Sequence, residues 1–166
     1  LRMILSAILL LFSLTACSSG ISEDELKEQT KKHLVEYTKI LYEVKKEEYV
    51  KTPGDFTAYI PVIQEKAKPY LTKKEEPESL IKLNIGFTAA YLAYNDIFLK
   101  VEDVKITDFK RDETTGSLNI SYTIFLQDSS KSDVKQQSGR VTLIPENETF
   151  KIDYYWDDIR TKQFEN

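Results

Sequence analysis

The stretch SLNISYTIFLQ, residues 117–127, constrains the fold more than any other part of the chain. Leu118, Ile120, Tyr122, Ile124 and Leu126 occupy every second position, with Asn119, Ser121, Thr123 and Gln127 between them. A period of two sends alternate side chains to opposite faces of an extended strand. A strand with one apolar face needs a sheet and a layer to cover it. Turn-like segments flank this strand: RDETTG (111–116) and DSSKSD (128–133). Leu99–Lys110 precedes it and Val134–Ile144 follows it, and both read as strands. The apolar phase of the first slips near Glu102-Asp103 and again near Phe109, which predicts bulges. After the turn PENET (145–149) comes Phe150–Trp156, with Phe150, Ile152, Tyr154 and Trp156 expected on one face. Strands joined by turns this short form an antiparallel meander.

The covering layer comes earlier in the chain, where the apolar period changes to that of a helix. Ser22 to about Val50 predicts a first helix, with Leu26, Leu34, Tyr37, Leu41 and Val44 on one face and Thr30, His33 and Ile40 beside it. Ser22 and Glu25 form a capping box, and Ile21 and Leu26 are placed for a hydrophobic staple. KTPGD (51–55) breaks the helix. A second runs from Asp55 or Phe56 to Ala67 with the stripe Phe56, Ile60, Ile63 and Ala67; Pro61 falls in an early turn or kinks it, and Pro69 stops it. TKKEEPE (72–78) reads as a charged loop, and Glu78–Asn84 as a short third helix ended by Gly86. FTAAYLAYND (87–96) is ambiguous between helix and irregular chain. Helices followed by a meander specify an α+β fold, with N-terminal helices packed on a curved four-stranded antiparallel sheet.

The N-terminal end bears on location. Arg2 precedes an uncharged run from Met3 to Leu14, about twelve residues, which is too short for a span of about 20. It fits the apolar region of an export signal. Leu14-Thr15-Ala16-Cys17 follows and resembles a bacterial lipobox. That resemblance implies a signal peptide over residues 1–16, cleavage before Cys17, and a diacylglyceryl group on its thiol, often with a further palmitate-type acyl chain on the new amine. Two or more chains hold a protein on a bilayer where one does not. Cys17 is the single cysteine, so an exported chain of this sequence makes no internal disulfide. Residues 17–21 are the lipidated cysteine and a short tether, which keeps the domain within about 20 Å of the lipid. The expected location is the extracytoplasmic face of a cell membrane.

The domain proper is expected over residues 22–158, with a polar tail over 159–166 that frays. Its element order and its closing FKIDYYWD (150–157) resemble the nuclear-transport-factor-2-like, or cystatin-like, superfamily. The resemblance implies a cone: helices wrapped against a curved sheet whose hollow can hold a pocket. In that arrangement Tyr122, Tyr154 and Trp156 are the candidates for a ligand pocket, because rings with polar tips grip small molecules. The bland alternative for all three is core packing.

The remaining signals are weaker. His33 is the sole histidine, sits among lysines and lacks a nucleophile nearby in sequence. Ketosteroid-isomerase-like members of the superfamily use a pocket carboxylate with a tyrosine. Asp153, Asp157 and Asp158 would be the carboxylates here, but the alternation of the last strand predicts that Asp153 and Asp157 face solvent. DSSKSD lacks the central glycine and closing glutamate of a calcium loop. The sequence carries no phosphate loop, metal-ligand cluster or serine nucleophile motif, so no cofactor or metal is expected. With 23 basic and 27 acidic residues, the charge balance does not point to nucleic acid.

The function read from sequence is therefore a non-enzymatic, membrane-anchored binding or accessory domain. Its partner would be a membrane protein or a small apolar ligand, in addition to the bilayer. The alternatives are a pocket enzyme of the ketosteroid-isomerase-like type, or an assembly or exclusion lipoprotein of a secretion or conjugation system.

Overall fold

The computed structural model describes residues 21–72, 85–147 and 149–165. The expected signal peptide, Cys17, most of its tether, nearly all of the 72–78 loop and the expected helix Glu78–Asn84 lie outside the described residues.

Helix α1 spans Glu23–Tyr42. Ser22 caps it, accepting the Glu25 amide at 3.2 Å, and Glu23, Asp24 and Glu25 place negative charge at the positive end of the helix dipole. The expected continuation to Val50 does not occur. At Glu43 the backbone turns extended, and the Glu43 carboxylate accepts the Val101 amide at 2.8 Å. Leaving the helix there also lets Val44 bury its side chain. Tertiary contacts thus outweigh about two turns of helix propensity.

The second helical segment is divided. A 3₁₀ turn over Phe56–Tyr59, capped by Asp55, leads into α2, Ile60–Ala67, with Pro61 in its first turn where no amide is needed. A further 3₁₀ turn, Lys68–Tyr70, brings Leu71 into a parallel bridge with Ile152. The ambiguous segment is helix α3, Phe87–Tyr94. It is apolar around most of its circumference and buries Ala89, Ala90, Leu92 and Ala93, as a helix inserted into a core does. Gly86 begins it at a φ of +87°, and a Cβ there would lie 3.1 Å from that of Ile63, so α3 packs closely on α2 only because residue 86 is glycine.

Strands β1 (Leu99–Arg111), β2 (Leu118–Asp128), β3 (Val134–Glu146) and β4 (Thr149–Asp157) form one antiparallel sheet in the order β1-β2-β3-β4. The fold is α+β, with helices packed on a curved four-stranded sheet. β1 is bulged at the first expected place, between Val101 and Asp103, and again between Ile106 and Asp108, slightly ahead of Phe109. The inner row of β2 is the one the alternation predicts: Leu118, Ile120, Tyr122, Ile124 and Leu126 are all buried. It meets Leu34, Tyr37 and Leu41 of α1 in a single core. The tail does not simply fray. It forms a 3₁₀ turn over Thr161–Gln163 and buries Phe164, whose carbonyl accepts from Lys131 at 3.3 Å. Ile159 and Phe164 are the apolar residues that a reading of the tail as polar passes over.

Candidate functional site

The last strand departs from its expected phase, and the site depends on that departure. Leu143 pairs with Ile152, but Thr142 pairs with Tyr154, leaving Asp153 as an extra residue. One inserted residue exchanges the faces of everything that follows. Ile152 is buried as expected; beyond the slip it is Tyr155 that is buried, while Tyr154 and Trp156 are each 46% exposed. Of the pocket candidates, Tyr122 therefore lies inside the core at 1% exposure, and Tyr154 and Trp156 stand on the opposite side of the sheet. The same slip corrects the reading of Asp157 as a solvated residue: it takes the inner phase, opposite Gly139.

Asp157 sits at one end of the buried sheet face. The Tyr42 hydroxyl, from the last residue of α1, donates to its Oδ2, and the Ile159 amide donates to its Oδ1 at 3.1 Å. Tyr42 Oη also lies 3.3 Å from Tyr155 Oη. The rings of Tyr37 and Tyr155 meet edge to face at 5.2 Å, and those of Tyr122 and Tyr155 lie 6.3 Å apart. Gly139 makes room for this cluster: a Cβ there would fall 2.3 Å from Tyr122 Cζ. The hydroxyls of Tyr37 and Tyr122 are buried without a hydrogen bond of ordinary geometry.

Burial dominates the electrostatics of the cluster. It raises the Asp157 carboxyl above the usual carboxylate range, against the opposing pull of the Tyr42 hydroxyl and the Ile159 amide. Burial, followed by the nearby Asp157 charge, pushes Tyr42 well above the ordinary tyrosine value; Tyr155 and Tyr122 are raised chiefly by burial too. No described lysine, arginine or histidine forms an ion pair with Asp157. Asp158 follows it and accepts the Ser138 amide at 2.7 Å, so the local field is negative.

A cleft of about 380 Å³ opens over this corner. Leu41 and Tyr42 of α1, Ile85, Gly86 and Thr88 at the start of α3, and Tyr154 to Asp157 of β4 line it. Aromatic, aliphatic and polar groups share its lining, among them the carboxylate of Asp157 and the tyrosines Tyr42 and Tyr155. Trp156 and Tyr154, though misplaced by simple alternation, thus return to the cleft at its rim, whereas Tyr122 lies beneath the floor. Tyr42 is the residue that sequence reasoning missed, and Asp157 the one it set aside as solvent-facing. The available signal was YY at 154–155, which breaks a two-residue period.

His33 belongs elsewhere. Its ring packs on that of Tyr70 at 5.1 Å, and burial, aided by the charge of Lys151, lowers its pKa to about 4. Among the described residues no group of three or more His, Cys, Asp or Glu side chains could hold a metal ion, and no helix is long and apolar enough to cross a membrane.

No family model matches the chain, and no curated protein matches it. Among solved structures it is similar to an Ntf2-like, potential transfer protein TraM from the Gram-positive conjugative plasmid pIP501. The TM-score is 0.47 at 7% identity, covering 81% of this chain and 96% of that one.

Proposed function

We propose that this chain is a membrane-anchored, extracytoplasmic binding domain that holds a small, largely apolar ligand in the cleft between α1, α3 and β4. The observation that carries the binding reading is the cleft itself, which brings aromatic and aliphatic residues of α1, α3 and β4 together with convergent polar groups. The anchoring half of the proposal rests on Leu14-Thr15-Ala16-Cys17 behind its apolar run. Lipid on Cys17 would hold the cleft close to the bilayer surface, where apolar small molecules concentrate.

Two measurements test these halves separately. Mass spectrometry of the protein from native membranes should find a chain beginning at a diacylglyceryl-modified Cys17; an intact leader or a free thiol there overturns the anchor. Native mass spectrometry should find a small molecule retained by the wild type and lost when Thr88→Trp fills the cleft. Equal retention by the two proteins would sink the binding reading.

One observation favours a second reading, a proton-transfer pocket of the ketosteroid-isomerase type: a half-buried carboxyl, raised by desolvation, in direct contact with a tyrosine hydroxyl. Against it, both Asp157 oxygens already accept hydrogen bonds from the protein. Isomerisation of a β,γ-unsaturated ketosteroid, abolished by Asp157→Asn, would move the assignment to an enzyme.

A further inference from the structure

The floor of the cleft holds a negative charge that no described side chain balances. Asp157 is half-buried, and no described cation pairs with it. The hydrogen bonds it accepts come from neutral groups, among them the Tyr42 hydroxyl and the Ile159 amide. The next residue, Asp158, adds charge of the same sign. A buried carboxylate without a counter-charge is costly, and a ligand that supplies one gains what the protein forgoes. Tyr42, Tyr154, Tyr155 and Trp156 all border the same cleft, the exposed Tyr154 and Trp156 at its rim, and aromatic rings attract cations. An aromatic lining with a carboxylate at its base suits a positively charged group that also has apolar surface.

We infer that the cleft formed by Tyr42, Tyr154, Tyr155, Trp156 and Asp157 is a site for a small organic cation, an alkylated or quaternary ammonium group. The inference rests on the binding reading above and gives its ligand a charge. A quaternary ammonium fits better than a bare ammonium, because it asks for no hydrogen-bond acceptors. Both Asp157 oxygens already accept bonds, so the carboxylate serves here as a charge. The ligand could be a free amine or the headgroup of a lipid; both present the same chemistry to the cleft.

Trp156 is the single tryptophan, so its fluorescence reports on the cleft. The full chain is titrated with choline and with 3,3-dimethyl-1-butanol, the neutral molecule of the same shape. Choline should bind about tenfold more tightly than the alcohol. Asp157→Asn keeps an acceptor for the Tyr42 hydroxyl and should remove that preference, with circular dichroism checking the fold. Tyr154→Leu, at the exposed rim, should weaken choline binding in calorimetry without altering the fold, and so tests the proposal even if the Asn variant misfolds. Equal binding of choline and the alcohol overturns the charge inference and leaves the binding reading standing. Binding of neither overturns the inference, and the retained-ligand experiment with Thr88→Trp then decides the broader reading independently. Glycerophosphocholine in a third titration separates the sources: a tighter response than choline assigns a lipid headgroup, a weaker one a soluble amine, and both support the inference.

Discussion

Two carboxylates, one buried and one half-buried, stand at different corners of the sheet, and the protein treats them differently. Asp128 ends β2 and is 6% exposed. It is satisfied by its own turn: the Ser130 amide and hydroxyl donate to it at 2.9 and 2.8 Å, and Lys131 lies 3.6 Å away. All its partners are within three residues. Asp157 ends β4 and takes a hydroxyl from Tyr42, 115 residues earlier, and no described cation pairs with it. Asp128 closes a hairpin and is finished by it. Asp157 is assembled by the tertiary fold, left electrically incomplete, and set under a cleft. A buried acid that is locally neutralised serves the fold; one that is held in place but not neutralised is available for something else.

The contrast can be attacked where the Asp157 corner is tightest. Gly139→Ala drives a methyl group into the buried ring of Tyr122 and should cost about 4 kcal/mol in urea unfolding. Adding Tyr122→Leu should recover part of that loss; no recovery would mean that the ring is not the obstacle.

Acid titration comes next, and two groups act with opposite signs. His33 has a folded pKa of about 4 against 6.5 unfolded. Between those values the unfolded chain binds a proton that the folded chain refuses. Stability should therefore fall as pH drops from about 6.5 to about 4, by roughly 3 kcal/mol in total. Asp157 is raised, so the folded chain takes its proton first, and acidification relieves the cost of burying its charge. His33→Gln should flatten the loss and expose the weaker, opposite trend. An unchanged pH slope in that variant would remove His33 from the account.

Tyr42→Phe takes away the hydroxyl that donates to Asp157 Oδ2. The expected cost is about 2 kcal/mol at neutral pH, shrinking as Asp157 becomes protonated. Ser130→Ala is the matching change at the other corner and should cost about 1 kcal/mol, since the Ser130 amide and Lys131 remain. Equal penalties from these two substitutions would erase the distinction between the corners.

Much of the architecture was legible before any coordinates. The alternation of Leu118 through Leu126 located β2 and its buried face, and Ser22 located the start of α1. The slips in β1 showed because acidic residues broke the apolar phase. The end of α1 was not legible, because Glu43 leaves the helix for a partner on β1 that lies 58 residues away. The site was legible only in part. Tyr154 and Trp156 border the cleft, but the phase argument placed them on the wrong face. Tyr122 was correctly read as inward, but it supports the floor instead of contacting a ligand space. Asp157 was misread, because a single extra residue at Asp153 leaves no mark in composition and yet inverts all that follows it.

The sequence by itself determined the periodic parts: the order of helices before strands, the apolar rows, the caps and the turns. Those depend on neighbours within a few positions, whose spacing is written in the chain. The pairing of Tyr42 with Asp157, the slip that turns Asp157 inward, and the open space above them were decided only by the tertiary structure. Each depends on where distant segments meet and on which register buries the most apolar surface, and that choice is made by the whole core at once.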